Sequence, residues 1–265
     1  MAKHMYWSPE AVGKFWAGVA RTRLSELSFS KHNAEHLIEV MAPYLKPQGR
    51  HLDFGAGDGD LVKALIHKGY PTAAYEPAQA RASKILAEMT AHPKFLGLAG
   101  SDAPQRFDAV LMVEVIEHIL EPDLEEVFQT VRSLLATDGA LIVTTPLAED
   151  LELGSAYCPC CDTVFHRWQH VRSFTAESVE AFLRRYGFEP LVGRVVDFSG
   201  NRLLTEDLRS MNEEINDLYG RLSRTFGARI KRLLTGQREE RTRFARVSLT
   251  GSPTHLFYVG KPQSS

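Results

Sequence analysis

The chain has 265 residues, of which 44% are hydrophobic, so it can form one large domain or a domain with insertions. Its formal net charge of -2 argues against a protein that binds nucleic acid or membranes through a strong overall field. No apolar run approaches the roughly 20 residues of a membrane span and no secretory signal opens the chain, so we expect a cytoplasmic protein without a transmembrane segment.

Two amphipathic helices are predicted ahead of the first strand. Ser8 and Pro9 form the typical start of a helix, an N-cap followed by proline at the first helical position, and apolar residues repeat at helical spacing as far as Val19. A second helix is predicted roughly from Lys31 to Leu45, with its apolar side chains on one face.

A short strand then runs into a glycine-rich loop, and an amphipathic helix follows. The strand is predicted from Leu52 to Phe54, and an acid, Asp53, stands two residues before the first glycine. The alternating glycines are Gly55, Gly57 and Gly59. Because glycine has no Cβ, the backbone of such a loop can approach a ligand closely, although a tight turn without a ligand is the alternative. The loop is not the dinucleotide fingerprint, because Asp60 occupies the position of its last glycine.

The second predicted strand, Thr72 to Tyr75, ends at Glu76. Rossmann-like folds place an acid for the ribose hydroxyls about 20 residues beyond the glycine loop, which is where Glu76 stands. A carboxylate there can accept hydrogen bonds from both hydroxyls of a ribose, whereas the alternative is a solvated glutamate at a strand end.

The loop and the acid before it resemble the first motif of the class I S-adenosylmethionine (SAM)-dependent methyltransferases. The resemblance implies SAM as the cofactor and an α/β fold with a Rossmann-like, seven-stranded sheet whose last strand is antiparallel. The implied cofactor residues are Asp53, Gly55, Gly57, Gly59 and Glu76. The implied domains are an N-terminal helical lid (1–48), a SAM-binding core (49–199) with a Cys/His-rich substrate loop (150–172), a helical insertion (200–250), and the final strand with a tail (251–265).

Downstream of Glu76, predicted strands and helices alternate, as a parallel sheet requires. The predicted strands are 95–99, 107–113, 140–144, 188–198 and 255–260, and the predicted helices are 79–89, one beginning at Pro122, and 176–186. This alternation on its own indicates no more than the α/β class.

Candidate chemistry is concentrated after the buried strand 107–113, where Glu114, Glu117 and His118 follow one another. In open α/β sheets, ligands bind at this carboxyl edge. Two carboxylates and an imidazole suit a divalent cation such as magnesium, manganese or zinc, and buried acids without a cation or a proton would be costly.

The Glu-x-x-Glu-His pattern resembles ubiquinone-pathway O-methyltransferases and small-RNA 3′-terminal 2′-O-methyltransferases. The second resemblance implies that His170 joins Glu114, Glu117 and His118 in a catalytic Mg or Mn site. Many related methyltransferases keep the pattern without a metal, so it can also simply shape the pocket. Without a metal, His118 or His170 could act as a general base.

The reaction implied is methyl transfer to a hydroxyl, because a metal that chelates two neighbouring hydroxyls acidifies both and orients one of them. The leading acceptor is therefore a vicinal diol of a small molecule or glycan. One alternative is 2′-O-methylation at the 3′ end of RNA, which is less favoured because the sequence has no RNA-binding motif. The other is a SAM-binding protein without catalysis.

A Cys/His cluster lies between these motifs. Cys158 and Cys161 form a Cys-x-x-Cys pair, and His166 and His170 follow at a spacing that suits zinc. We expect either a structural zinc knuckle beside the active site or a reduced thiol cluster in a substrate loop. His170 cannot easily serve the knuckle and the Glu-rich site at once.

Apolar residues at helical spacing also predict one or two amphipathic helices in the segment 201–233. Acidic residues come first and a basic run follows. This segment could form a helical cap or the seam of a homodimer, or a basic arm that grips an anionic acceptor such as a phosphorylated glycan, a lipid headgroup or RNA.

Overall fold

The computed structural model describes residues 2–100, 106–198, 244–246 and 255–263. Within these ranges the chain alternates strands and helices. The helices are α1 (Pro9–Ala20), α2 (Phe29–Met41), α3 (Asp60–His67), α4 (Gln79–Met89), α5 (Leu124–Leu134) and α6 (Ala176–Arg185). The strands are β1 (Lys3–His4), β2 (His51–Phe54), β3 (Thr72–Tyr75), β4 (Phe95–Leu98), β5 (Phe107–Val113), β6 (Leu135–Pro146), β7 (Ser155–Cys158), β8 (Thr163–His166), β9 (Phe188–Val196), β10 (Phe244–Arg246) and β11 (His255–Pro262).

The main sheet has the strand order β10-β9-β11-β6-β5-β2-β3-β4. β2 to β6 pair in parallel, whereas β11 lies antiparallel between β6 and β9. This arrangement confirms the predicted Rossmann-like α/β fold and its antiparallel last strand. The short edge strand β10 is an addition, because it lies in the segment predicted to be a helical insertion and pairs with β9 instead.

Helices cover both faces of the main sheet. α5 and α6 pack on one face through Phe128, Val131 and Leu183, which are all buried in a common core with residues of β5 and β6. On the opposite face, α2 and α3 bury Leu37 and Leu65 against other residues of the sheet. Burial on both faces explains why β5 is almost wholly apolar.

Local sequence signals set the ends of several helices. The Ser8 side chain accepts a hydrogen bond from the Ala11 N–H (3.2 Å), and Pro9 begins α1 as predicted. Thr175 and Ser178 form a capping box at the start of α6. The predicted helix at Pro122 begins instead at Leu124, after a 3₁₀ turn over Glu121–Asp123.

A second, three-stranded sheet has the order β1-β8-β7 and was not predicted. β7 and β8 form an antiparallel hairpin in which Ser155 pairs with His166 and Cys158 with Thr163. The three cysteines therefore lie at the turn of the hairpin, and His166 lies at its opposite end.

The predicted amphipathic segment 201–233 lies outside the described residues, so the expected cap, dimer seam or basic arm stays a prediction. None of the described helices is both long and apolar enough to cross a membrane.

Candidate active site

The glycine loop lies at the carboxyl end of β2, and its three glycines have different structural roles. All three have a positive φ: 88° at Gly55, 57° at Gly57 and 83° at Gly59. A Cβ at Gly55 would lie 2.8 Å from the Val115 side chain, and one at Gly59 would lie 2.8 Å from Met89 Cε. A Cβ at Gly57 would meet nothing closer than Arg81 Nη1, at 3.8 Å. Packing therefore requires the outer two glycines, while Gly57 leaves space for a ligand.

Glu76 is held against this loop. One carboxylate oxygen accepts a hydrogen bond from the Gly57 N–H and the other accepts one from the Ala78 N–H, both at 2.8 Å. Burial raises the pKa of Glu76, and the two backbone donors and the Arg81 charge oppose that rise. Each carboxylate oxygen has a second lone pair, so the fixed side chain can still accept hydrogen bonds from a ribose diol.

Asp53 lies in β2 and is only 3% exposed. Burial raises its pKa to about 7, with smaller contributions from the negative charges of Glu76 and Asp60. Asp53, the glycine loop and Glu76, which are the predicted parts of the cofactor site, are thus close together in the structure.

Arg81, which sequence reasoning missed, lies over the loop from α4. Its guanidinium is 5.2 Å from the centre of the Trp16 ring, and its Nε is 3.4 Å from Asp58 Oδ1. The side chain thereby joins helix α1 to the glycine loop. Little in the sequence indicates a role for Arg81, because arginines near the start of surface helices are common.

Three of the four predicted metal ligands converge. Ligand atoms of Glu117, His118 and His170 lie within 4.8 Å of one another. Glu114, the fourth predicted ligand, is not part of this group. Its side chain instead accepts a hydrogen bond from Thr144 Oγ1 (2.8 Å) and lies 3.3 Å from His255 Nε2 on β11.

Glu117 and His118 are held in an environment that disfavours their charged forms. Burial, and then the nearby charge of Glu114, raises the pKa of Glu117 well above its usual value. Burial, followed by the proximity of His170, lowers the pKa of His118 to about 3. Glu117 Oε1 and His118 Nδ1 are buried and have no hydrogen-bond partner among the described residues.

His170 belongs to a second group with Glu149 and His166, and sequence reasoning did not single out Glu149. His170 Nδ1 is hydrogen-bonded to Glu149 Oε2, and His166 Nε2 lies 3.3 Å from Glu149 Oε1. The rings of His166 and His170 stack with their centres 4.4 Å apart. Burial is the largest influence on the pKa of Glu149 and raises it, but the hydrogen bond from His170 and the proximity of both histidines outweigh burial, so the pKa of Glu149 is lowered.

The predicted zinc knuckle is not assembled. His166 lies at the end of the hairpin away from Cys158 and Cys161, because its strand pairs in register with Ser155. The ligand groups found among the described residues contain no cysteine. His170 instead lies with Glu117, His118, Glu149 and His166, which together are called the Glu/His cluster.

Gln169 links helix α1 to this cluster through hydrogen bonds. Trp16 Nε1 donates a hydrogen bond to Gln169 Oε1 (2.9 Å), and Gln169 Nε2 donates one to the His118 carbonyl (3.0 Å). Gln169 is fully buried and has a φ of 62°, an unusual value for a residue other than glycine. The sequence motifs give no sign of the contact between Trp16 and Gln169, because these residues are 153 positions apart.

A single cavity of about 470 Å³ joins the two halves of the site. One wall is the glycine loop with Arg81, and another is formed by side chains of the Glu/His cluster. Most of the remaining walls come from the segment before β2, and the others come from the residues after β8. The first group comprises Trp16, Leu24, Leu27, Phe29, His32 and Asn33, and the second comprises Arg167 and Trp168. A cofactor on the loop and an acceptor beside the Glu/His cluster would therefore share one space.

Solved structures with this fold include several methyltransferases. The glycopeptide N-methyltransferase MtfA has 14% sequence identity and a TM-score of 0.57, with 97% of this chain and 100% of MtfA covered. The 1,6-didemethyltoxoflavin-N1-methyltransferase of Burkholderia thailandensis has 13% identity and a TM-score of 0.57, covering 99% of this chain and 93% of its own. CcbJ from Streptomyces caelestis has 14% identity and a TM-score of 0.51, covering 88% and 90%. At these identities the likeness shows the shared fold.

No curated protein matches the chain. The family described as "Methyltransferase domain" matches residues 27–192, which include the glycine loop, Glu76 and the whole Glu/His cluster. Because this match spans more than half of the sequence, the chain belongs to the methyltransferase-domain family.

Proposed function

We propose that the protein transfers the methyl group of SAM to a hydroxyl of a small molecule or glycan, and that the preferred acceptor is a vicinal diol. The observation that carries the proposal is the shared cavity, in which the glycine loop faces side chains of the Glu/His cluster. Methyl transfer requires the acceptor atom and the methyl group to be aligned at short range, and one cavity of this kind permits it.

The cofactor half fits SAM in two respects. Gly57 leaves its Cβ position open beside the loop, so a ligand can approach the backbone there. Glu76 is fixed by two backbone N–H groups and retains lone pairs for the ribose hydroxyls. A structure of MtfA contains SAM, which is consistent with this use of the shared fold.

The acceptor half favours a hydroxyl. The methyl group of a sulfonium is already electrophilic, so the protein must mainly orient the nucleophile and help to remove its proton. A neutral amine attacks without losing a proton first, whereas a hydroxyl is a poor nucleophile at neutral pH. His118 and His170 line the cavity, and the imidazole of His170, which is hydrogen-bonded to Glu149, supplies the proton acceptor that a hydroxyl needs.

The same residues fit a divalent cation. Glu117 Oε1 and His118 Nδ1 are buried without hydrogen-bond partners among the described residues, and a nitrogen of His170 lies close to both side chains. We therefore keep Mg or Mn in the proposal, with Glu117, His118 and His170 as ligands in place of the predicted set that included Glu114. When bound, such a cation would acidify a hydroxyl of the acceptor.

Three competing functions define the controls. The solved neighbours named above include N-methyltransferases, which makes amine methylation the first competitor. Methylation at the 3′ end of RNA is the second, and SAM binding without turnover is the third. Structural zinc has no support in the described geometry and is not proposed.

The test uses SAM with a labelled methyl group and three acceptors of one shape: catechol, 2-aminophenol and 1,2-diaminobenzene. We expect methylation on oxygen in the first two and none in the third, located by mass spectrometry and NMR. Glucose and glucosamine derivatives provide the matching pair of glycans. Each reaction is run with chelator and again after Mn²⁺ or Mg²⁺ is restored, which tests the metal separately.

Methylation of the diamine but not of catechol would replace the proposal with N-methylation. Incorporation into RNA that disappears after periodate oxidation of the 3′ end would favour the RNA function. Tight SAM binding with no methylated product in any arm would favour the non-catalytic alternative. The Glu152→Gln variant, altered at an exposed loop residue, serves as the control and should keep full activity.

A further inference from the structure

We propose that Glu149 and His166 are positioning residues that keep the proton of His170 on Nδ1 and leave its Nε2 lone pair for the acceptor cleft. The inference deepens the proposed function and rests on it for the use of that lone pair. The proton's location, however, can be measured without any acceptor.

The tautomer of His166 is determined by the backbone. Its Nδ1 accepts hydrogen bonds from the N–H groups of Trp168 (3.3 Å) and His170 (3.1 Å). A ring nitrogen that accepts from an N–H carries no proton, so in the neutral ring the proton is on Nε2. This excludes His166 Nε2 as a ready metal ligand, even though the ligand atoms of Glu149, His166 and His170 lie within 4.8 Å of one another.

The proton on His166 Nε2 faces Glu149. The nitrogen is 3.3 Å from Glu149 Oε1, in a bent contact that does not meet the geometry of a hydrogen bond. The backbone of Gly154 closes the other side of the ring, because a Cβ at that position would lie only 2.1 Å from His166 Nε2. The ring therefore has little freedom to turn away from the carboxylate.

The second oxygen of Glu149 determines the tautomer of His170. Oε2 is hydrogen-bonded to His170 Nδ1, and a carboxylate can only accept, so His170 must donate from Nδ1. Its Nε2 is then left with a lone pair. The His170 ring lines the cavity and lies 4.8 Å from the ring of His118, so this lone pair is available at the acceptor end of the site.

The decisive variant is Glu149→Gln. An amide offers one oxygen and one NH₂ group in place of two accepting oxygens. Because the Nε2–H of His166 faces the side chain at position 149, the amide oxygen should turn toward His166 and the NH₂ group toward His170 Nδ1. His170 Nδ1 must then accept, which moves its proton to Nε2 and removes the lone pair from the cleft. In a protease triad, the equivalent change of carboxylate to amide produces the wrong tautomer and a loss of about 10⁴-fold in kcat.

We expect ¹⁵N-resolved NMR of the chelator-treated full chain to show His170 protonated at Nδ1 in the parent protein and at Nε2 in Glu149→Gln. With the best hydroxyl acceptor from the panel, kcat should fall at least about 100-fold, while KM and the Kd for SAM change less than about threefold. Glu152→Gln makes the same chemical change on the same loop and should alter neither the tautomer nor kcat.

A double variant separates positioning from a merely structural role. In Glu149→Gln combined with His166→Asn, the asparagine oxygen can still accept from the backbone, but the shorter side chain has no N–H at the position of His166 Nε2, which orients the amide at position 149. The amide oxygen can then turn to His170, so we expect the Nδ1-protonated tautomer to return and kcat to recover at least about tenfold over Glu149→Gln alone. A structural role predicts a further loss instead.

The proposal is overturned if the parent protein carries the His170 proton on Nε2, or if Glu149→Gln leaves the proton on Nδ1. It is also overturned if the double variant loses more activity than Glu149→Gln. If no panel acceptor is methylated, the proposed function fails, whereas the NMR result still decides the positioning by Glu149 and His166.

Discussion

At the scale of single residues, the site contrasts carboxyl groups that differ in their surroundings. Asp53 and Glu117 are buried and their pKa values are raised mainly by desolvation. Glu149 lies between two histidines, and its pKa is lowered. The surroundings of Asp53 and Glu117 therefore favour the protonated carboxyl group, whereas those of Glu149 favour the carboxylate that accepts hydrogen bonds.

The raised pKa of Asp53 predicts a pH-dependent stability. The folded protein keeps this proton up to about pH 7, whereas the unfolded chain releases it near the ordinary aspartate pKa of 3.8. The folded state therefore binds more protons in this interval, and the free energy of unfolding should fall by as much as about 3 kcal/mol between pH 5 and 7. Asp53→Asn should flatten this part of the curve, measured by urea unfolding at each pH. An equal slope in both proteins would contradict the prediction.

Sequence reasoning found the residues of the site that stand in short motifs. Glu117 and His118 were predicted because they follow a buried strand. His170 was predicted because the sequence resembles the small-RNA 2′-O-methyltransferases. Glu149 was missed, since it contacts His170 from 21 positions away and no spacing rule joins them. Glu114 was also predicted but lies outside the converging group: its backbone has a φ of 54° after β5, and its side chain lies beside Thr144 and His255.

At the scale of elements, the loop between β2 and α3 combines a packing requirement with a binding surface. Gly55 and Gly59 are enclosed by neighbouring side chains, and Gly57 is open. A sequence pattern shows three equivalent glycines and cannot distinguish these roles, because the neighbours come from α4 and from the residues after β5.

Gly57→Ala should weaken SAM binding at least about tenfold, because the new methyl group occupies the open space beside the loop. The positive φ costs an alanine roughly 1–2 kcal/mol of stability. Gly69→Ala is the matched control, since Gly69 also has a positive φ (93°) and its Cβ would meet nothing within 4 Å. Calorimetry should show weaker binding in the first variant alone, with similar losses of stability in both. Unchanged SAM affinity in Gly57→Ala would show that no ligand contacts the loop at this residue.

Periodicity predicted most regular elements well. The helix 79–89 and the strands 72–75 and 107–113 have the predicted bounds. The small sheet of β1, β7 and β8 was missed because its strands have two to four residues, too few to show an alternating pattern. The start of β6 was also missed, because α5 passes directly into this strand at Leu135 without a turn signal.

At the scale of the whole molecule, the last described strand completes the core. β11 lies between β6 and β9 and buries Leu256, Phe257, Tyr258 and Val259. Periodicity predicted the strand itself, while its antiparallel orientation was implied by the family resemblance. Its place in the sheet could not be read from local sequence, because strand pairing joins residues more than 100 positions apart.

Removal of residues 255–265 should abolish cooperative unfolding. Burial of four large side chains contributes roughly 6–12 kcal/mol, which is comparable with the total stability of about 5–15 kcal/mol expected for a domain. A chain that ends after Gln263 keeps all of β11 and is the control. Near-ultraviolet circular dichroism during heating distinguishes the two. A sharp transition in the shorter chain, at an unchanged midpoint, would show that β11 is dispensable.

The cavity walls also divide along the chain in a way that bears on how such proteins diversify. Under the proposed function, the wall that would meet the cofactor comes from the loop after β2, whereas many side chains around the space for the acceptor come from residues 16–33 and from Arg167 and Trp168. Exchange of these two peripheral segments would leave the strands that form the main sheet intact. Natural or laboratory evolution can therefore recruit new acceptors through an N-terminal segment and one short loop, without rebuilding the machinery that holds the methyl donor.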